Sequence, residues 1–172
     1  MSVSYAPIGI ARARSVPGFQ IDVTTATVGH GDEDFARACA ELKTWRHVQL
    51  GWLEVFPPAA SIDPGTTVAL LARHFSFWSL NALRVVYGLE ESTGAYSSLG
   101  FAYGTLADHV ERGEELFEVR LDRLTGAVTY RIRAASQPRV LLARIGRPAA
   151  RALQARFRQA SCDSLRAAIA SS

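Results

Sequence analysis

The last part of the chain places Leu141, Ile145, Ala149, Leu153, Phe157, Leu165 and Ile169 at helical spacing, after a long region that reads mostly as strand. An amphipathic helix of that length has an apolar stripe that must be buried. The preceding runs supply the surface to bury it on. Residues 19–28 alternate and are rich in β-branched types, and six further strand-like runs fall at 48–56, 67–75, 83–91, 95–104, 114–123 and 127–136. Pro57-Pro58, Asp63-Pro64-Gly65 and Thr125-Gly126 mark turns between them. Segment 76–82 reads as a loop or a short helical turn. A shorter helix is predicted over 33–45, with Asp32 as N-cap and Phe35, Ala38, Cys39 and Leu42 on one stripe. The order strand, helix, six strands, long helix predicts an α+β fold: a curved, mainly antiparallel seven-stranded sheet whose concave face grips a helix around 149–170.

The last hairpin reports its own facing. Phe117, Val119 and Leu121 share a side with Val128, Tyr130 and Ile132, while Glu118, Arg120 and Asp122 oppose Thr129, Arg131 and Arg133. One face is therefore covered and the other wetted. The C-terminal helix is the expected cover, with Phe157 in the core. Pro138 suits a first helical turn, where a missing N–H is no loss. Pro148 should bend or break the run, since an interior proline costs about 3 kcal/mol.

At 172 residues the chain fits one domain over 1–172, with residues 1–15 expected to be loosely ordered. Apolar residues make up 48% and charged ones 20%, which describes a globular chain. No apolar run approaches the roughly 20 residues of a membrane span, and the N-terminus lacks the order of a secretory signal. A cytoplasmic bacterial protein is the expectation. Cys39 and Cys162 lie within helical patterns and are read as buried free thiols. The net charge of +3 hides an asymmetry: from Arg131 onward there are nine arginines and one acid, Asp163. Such a segment can bind nucleic acid or an anionic surface. The solvated face of a terminal helix is the plainer account, and nucleic acid is not the expected partner.

Residues 100–117, GFAYGTLADHVERGEELF, concentrate chemistry. A strand breaks at Gly104 into a loop holding His109, Glu111, Glu114 and Glu115. His109 with Glu111 resembles the His-x-Glu of zinc deaminases, but no Pro-Cys-x-x-Cys follows. His30, His47 and His74 have no ligand spacing that would complete a metal site with it, so neither metal nor cofactor is expected. General acid–base work by His109 with Glu111 or Glu114 remains open, beside a structural reading in which the loop residues bond backbone groups and fix a turn. Gly29 and Gly31 flank His30 ahead of a helix, but Asp32, Glu33 and Asp34 would repel an anion there. On the preceding strand Ser98, Gly100, Ala102 and Gly104 form a face of small residues, leaving room for a ligand or for a closely packed helix. Arg84, Tyr87 and Tyr103 are the polar side chains placed near such a pocket, and the Arg84 fork would suit a carboxylate.

The strings GFAYGTLADHVERGEELF, RVVY at 84–87 and ASQPRVLLARIGRPAARALQ from residue 135 together resemble the domain-of-unknown-function-1990 family of bacteria and plants. The family pattern reads YGTLPGHPExGEExF. Tyr103 to Leu106, His109, Glu111, Gly113 to Glu115 and Phe117 match it; Ala107, Asp108 and Val110 stand where the pattern has Pro, Gly and Pro, and Gln137 where it has Arg. The resemblance spans about residues 8–170. The element order also resembles the START-like, birch-pollen-allergen helix-grip superfamily, which implies a ligand cavity between sheet and helix. A small hydrophobic or amphipathic molecule is the implied partner, with Arg84, Tyr87, Tyr103, His109 and Glu114 as candidate contacts. A polyketide cyclase or hydrolase type of enzyme using the 103–115 loop is the alternative, and an anionic-surface or nucleic-acid binder acting through the arginine-rich helix is a second.

Overall fold

Seven strands form a single antiparallel sheet in the order β1-β7-β6-β5-β4-β3-β2. The computed structural model describes residues 2–73, 78–106, 111–138 and 147–171. Within them β1 is Gln20–His30, α1 Gly31–Lys43, β2 Leu53–Phe56, β3 Thr67–Arg73, β4 Trp78–Ser92, β5 Tyr96–Thr105, β6 Glu111–Asp122, β7 Ala127–Pro138 and α2 Arg147–Ala170. The sheet bends because its ladders are irregular at two places, between Thr27 and Gly29 on β1 and between Val85 and Tyr87 on β4. An extra residue in one strand locally increases twist and re-aims side chains.

The concave face carries the core. Phe101, Phe117, Val119, Leu121, Val128, Tyr130 and Ile132 are buried there, as the hairpin alternation predicts, with Ala38, Cys39 and Leu42 of α1 and Cys162, Leu165 and Ile169 of α2. Cys39 and Cys162 are both buried free thiols. The Tyr130 hydroxyl and Ser161 Oγ, 3.0 Å apart, tie helix to sheet in the middle of this packing. Only the C-terminal part of α2 is gripped this tightly. Phe157, expected in the core, is only partly buried.

Several local expectations are corrected. Residues 48–52 do not belong to a strand; a 3-10 turn at Arg46–Val48 precedes β2, which begins at Leu53. Residues 78–82 are strand, the start of β4. The helix N-cap is His30, whose N–H is bonded by the Asp34 carboxylate at 2.8 Å, while Asp32 pairs with Arg123 at 2.5 Å. Pro138 ends β7 opposite Glu111 instead of opening a helix. The segment holding Leu141 and Ile145 lies outside the described residues. Because α2 begins at Arg147, Pro148 falls in a first turn, where the missing N–H is harmless.

The convex face is not simply wetted. Residues 3–13 lie across it: Val3 bridges Leu106, the Ser4 N–H donates to the Thr105 carbonyl at 2.8 Å, and Tyr5, Ile10 and Ala11 are buried. The Ala102 and Gly104 end of the small-residue face on β5 is covered by this segment, whereas Gly100 is small because β6 backbone approaches it. Ala102 packs with Ala11 and Leu116, and a Cβ at Gly104 would overlap the Tyr5 phenol. Neither a helix nor a ligand occupies that space.

Candidate functional site

Above the gripped part of α2 the sheet and helix separate and border a cavity of about 500 Å3 that opens to solvent. That volume falls within the roughly 300–1,000 Å3 typical of small-molecule pockets. Its apolar walls include Trp52 just before β2, Leu53, Leu70 and Leu83 from β2 to β4, and Leu153 and Phe157 from α2. Leu80, 67% exposed, stands on the lining where it meets solvent. The polar lining comes from Tyr103, Thr105, Arg112, Glu114 and Glu115 on β5 and β6, Ser79 and Asn81 on β4, Ser136 on β7, and Gln154 and Arg158 on the helix opposite.

Two of these groups form a fixed pair. The Tyr103 phenol donates to Glu115 Oε2 at 2.5 Å across the β5–β6 ladder, where the two residues are register partners. Burial, then the neighbouring Glu115 charge, holds the Tyr103 hydroxyl well above the usual phenol range. The Tyr103 ring itself lies over Trp45 and Phe117, at centroid distances of 6.3 and 5.3 Å, so its orientation is set by the core. Arg112 is different: its Nε is buried and has no hydrogen-bond partner among the described residues.

The predicted contacts separate into two groups. Tyr103 lines the cavity. Arg84 does not; it lies on the opposite face of β4 from buried Leu83 and Val85 and donates to Thr67 Oγ1 at 3.1 and 3.2 Å. Tyr87 and Glu114 meet each other on the convex side. The Glu114 carboxylate accepts from the Tyr5 and Tyr87 hydroxyls, each at 2.8 Å, and from the N–H groups of Gly9 and Ala11, at 2.8 and 3.0 Å. Glu114 touches the cavity wall, yet its carboxylate oxygens are committed to pinning the N-terminal segment. Burial, with Glu114 second, raises both the Tyr5 and the Tyr87 hydroxyls far above the ordinary range.

His109 lies outside the described residues, as does His74; Glu111 opens β6, with its side chain also outside them. His30 Nε2 is 2.9 Å from the Thr125 carbonyl oxygen. His47 is fully buried among Trp45, Phe101, Phe117 and Tyr130, both ring nitrogens without a partner among the described residues, and burial pushes its pKa down to about 3. Among the described residues no group of three His, Cys, Asp or Glu is arranged to hold a metal ion.

Sequence reasoning missed Glu115, Arg112 and Arg158 as wall residues. Glu115 was within reach: with Phe117, Val119 and Leu121 inward, alternation turns Glu115 inward and Glu114 outward. Arg112 shares the parity of Glu114, so alternation alone does not find it. No helix among the described residues is long and apolar enough to cross a membrane.

The family profile described as "Domain of unknown function (DUF1990)" matches residues 4–164. A UPF0548 protein of Dictyostelium discoideum is 34% identical over 161 residues, covering 89% of this chain and 74% of that one. Among solved structures, Ara h 8.0201 superposes with a TM-score of 0.53 at 10% identity, covering 90% of this chain and 100% of that one. The Zhui aromatase/cyclase from Streptomyces sp. R1128 gives 0.53 at 13% identity, covering 88% and 93%. These two likenesses identify the fold as helix-grip.

Proposed function

We propose that this chain, which belongs to the DUF1990 family, binds a small amphipathic molecule in the cavity between its sheet and α2. The observation that carries the reading is the composition of the wall. Leu, Phe, Trp and Ala side chains make up much of the wall of a volume near 500 Å3, and polar groups enter it from β5, β6 and α2, with Ser79 and Asn81 from β4 and Ser136 from β7. A mainly apolar wall with a few polar groups matches an amphipathic ligand. A well-packed core would close this space, since voids there forfeit dispersion contacts on every lining atom. The expected site residues are Tyr103, Glu115, Arg112, Arg158, Leu153 and Phe157.

Native mass spectrometry of the freshly purified chain tests this. A retained small molecule, or recovery of one added from a metabolite extract, is the expected result. Survival of that binding in a chain whose cavity has been filled would count against it.

A second reading rests on the Tyr103–Glu115 pair. A phenol hydrogen-bonded to a carboxylate can hand a proton to and from a bound molecule, so an enzyme of the cyclase or hydrolase type is the alternative. Tyr103→Phe and Glu115→Gln would then abolish turnover of a bound compound while leaving its affinity within a few-fold.

The arginine-rich C-terminal region supports a surface-binding role less well. Arg131 pairs with Glu118, Arg133 donates to the Ala11 and Ala13 carbonyls, and Arg151 to Gln20. Arg156 lies 4.7 Å over the Trp52 ring, and Arg166 pairs with Asp163. Much of the positive charge is spent inside the molecule.

A further inference from the structure

Strand β4 interrupts an apolar wall. The β3–β4 ladder runs without irregularity from Thr67 opposite Arg84 to Arg73 opposite Trp78, so the facing of each residue in it is fixed. Val68, Leu70 and Ala72 of β3 are buried on the concave side, with Leu53 and Val55 of β2 and Leu83 of β4. In β4 the partners of Ala72 and Leu70 are Ser79 and Asn81. Both therefore face the concave side, and both line the cavity.

Asn81 differs from the polar groups around it. The Tyr103 hydroxyl is committed to Glu115, Thr105 Oγ1 to Ser4 and the Gly113 N–H, and the Glu114 carboxylate to Tyr5 and Tyr87. The Asn81 side chain makes no hydrogen bond among the described residues. Its amide offers two N–H donors and a carbonyl acceptor. In the open cavity water satisfies them, and a ligand that fills the space displaces that water. A hydrocarbon returns nothing and leaves the amide desolvated, whereas a carbonyl oxygen accepts one of the N–H groups. A wall of this kind rejects the analogue that lacks the oxygen. Leu70, Leu83 and Ser79, beside Asn81 on the sheet, carry no charge, so the ligand group that suits this place is an uncharged one.

We propose that Asn81 orients the ligand, and that the cavity takes apolar molecules carrying an uncharged carbonyl whose oxygen accepts a hydrogen bond from the Asn81 amide. This specificity rests on the ligand-binding reading above.

Competition against the fluorescent, uncharged probe N-phenyl-1-naphthylamine tests the proposal. The competitors are 1-acetonaphthone and 1-isopropenylnaphthalene, which match in shape and differ by an oxygen against a CH2 group. Any apolar pocket favours the alkene, so their partition between water and octane sets the reference. The ketone-to-alkene affinity ratio of the unaltered chain should exceed the partition ratio by about fivefold or more. In Asn81→Leu it should fall about fivefold, with the probe bound at least as tightly as before. Asn81→Asp, which keeps the size and loses the amide donors, should lower the ratio as well. A ratio no greater than partition in the unaltered chain overturns the proposal even if no variant folds, and so does a ratio that survives Asn81→Leu. Probe that never binds contradicts the cavity reading itself. Probe that binds without this ketone preference contradicts only the role of Asn81.

Discussion

Tyr103 and Glu115, register partners on β5 and β6, are joined by a 2.5 Å hydrogen bond inside the cavity wall. The bond belongs to a wider pattern in which the chain's tyrosines are kept protonated. Burial chiefly raises Tyr5, Tyr87, Tyr103 and Tyr130, whereas Tyr96 is raised first by its hydrogen bond to Glu91. A raised folded pKa means that the stabilising contribution is complete below the unfolded value near 10 and is lost as pH climbs beyond it. Spectrophotometric titration should therefore show little phenolate absorbance at pH 10.5 in the native state. Phenolate should then appear together with loss of structure. Normal titration near pH 10 of more than one tyrosine in the folded chain would contradict the burial of Tyr5, Tyr87, Tyr103 and Tyr130.

Glu114 is predicted to be a structural clamp. Glu114→Ala leaves two hydroxyls and two backbone N–H groups without their acceptor, and hydrogen bonds to a charged group are each worth about 1.5–3 kcal/mol. A loss of about 3 kcal/mol or more in denaturant unfolding is expected, with faster hydrogen exchange at Gly9 and Ala11. Cavity ligands should still bind to the fraction that folds. A change in binding without a change in stability would make Glu114 a contact residue instead.

His47 should make the protein acid-sensitive. Its pKa falls to about 3 through burial, so below about 6.5 the unfolded chain takes up a proton that the folded chain refuses. Stability from this group is complete above that pH and is lost as pH falls, by about 1.4 kcal/mol per pH unit at most. His47→Leu, close in volume, should stabilise the chain more at pH 5 than at pH 7.5, by up to about 2 kcal/mol. An equal effect at both pH values would show that the ring is hydrated or paired.

Phe157 and Leu165 sit on one helix but should respond differently. Leu165 is fully buried, so Leu165→Ala should cost about 2–5 kcal/mol. Phe157 lines the cavity and is only partly buried. Its truncation should cost less than Leu165→Ala while widening the pocket and weakening ligand affinity severalfold. The reverse order in chemical denaturation would mean that the cavity is a packed core.

The sheet and both helices were legible because their periodicities are clean: Phe117 to Leu121 alternate, and Cys162, Leu165 and Ile169 keep helical spacing. The site was legible only in part. Parity along β4 groups Tyr87 with Val85, but the irregularity between those two residues turns Tyr87 onto the convex face beside Val86. Arg84 shares that outer side, so neither reaches the cavity. The small residues of β5 were recognised as leaving space, yet beside Ala102 and Gly104 the occupant is the chain's own N-terminal segment. Such a contact joins residues about a hundred positions apart, and no local pattern encodes it. The unpaired Nε of Arg112 likewise follows from the surroundings of one atom, which spacing cannot reveal.

Filling the cavity is the most direct test of the account. Ala134 pairs with Glu115 in the β6–β7 ladder and lines the cavity wall, so Ala134→Phe should project a ring into the pocket. Titration with N-phenyl-1-naphthylamine should show saturable binding of one probe per unaltered chain. In the Ala134→Phe variant, that binding should be lost while the circular dichroism spectrum and cooperative melting remain. No saturable binding to the unaltered chain, or undiminished binding to a folded Ala134→Phe variant, would contradict the claim that this cavity is the ligand site.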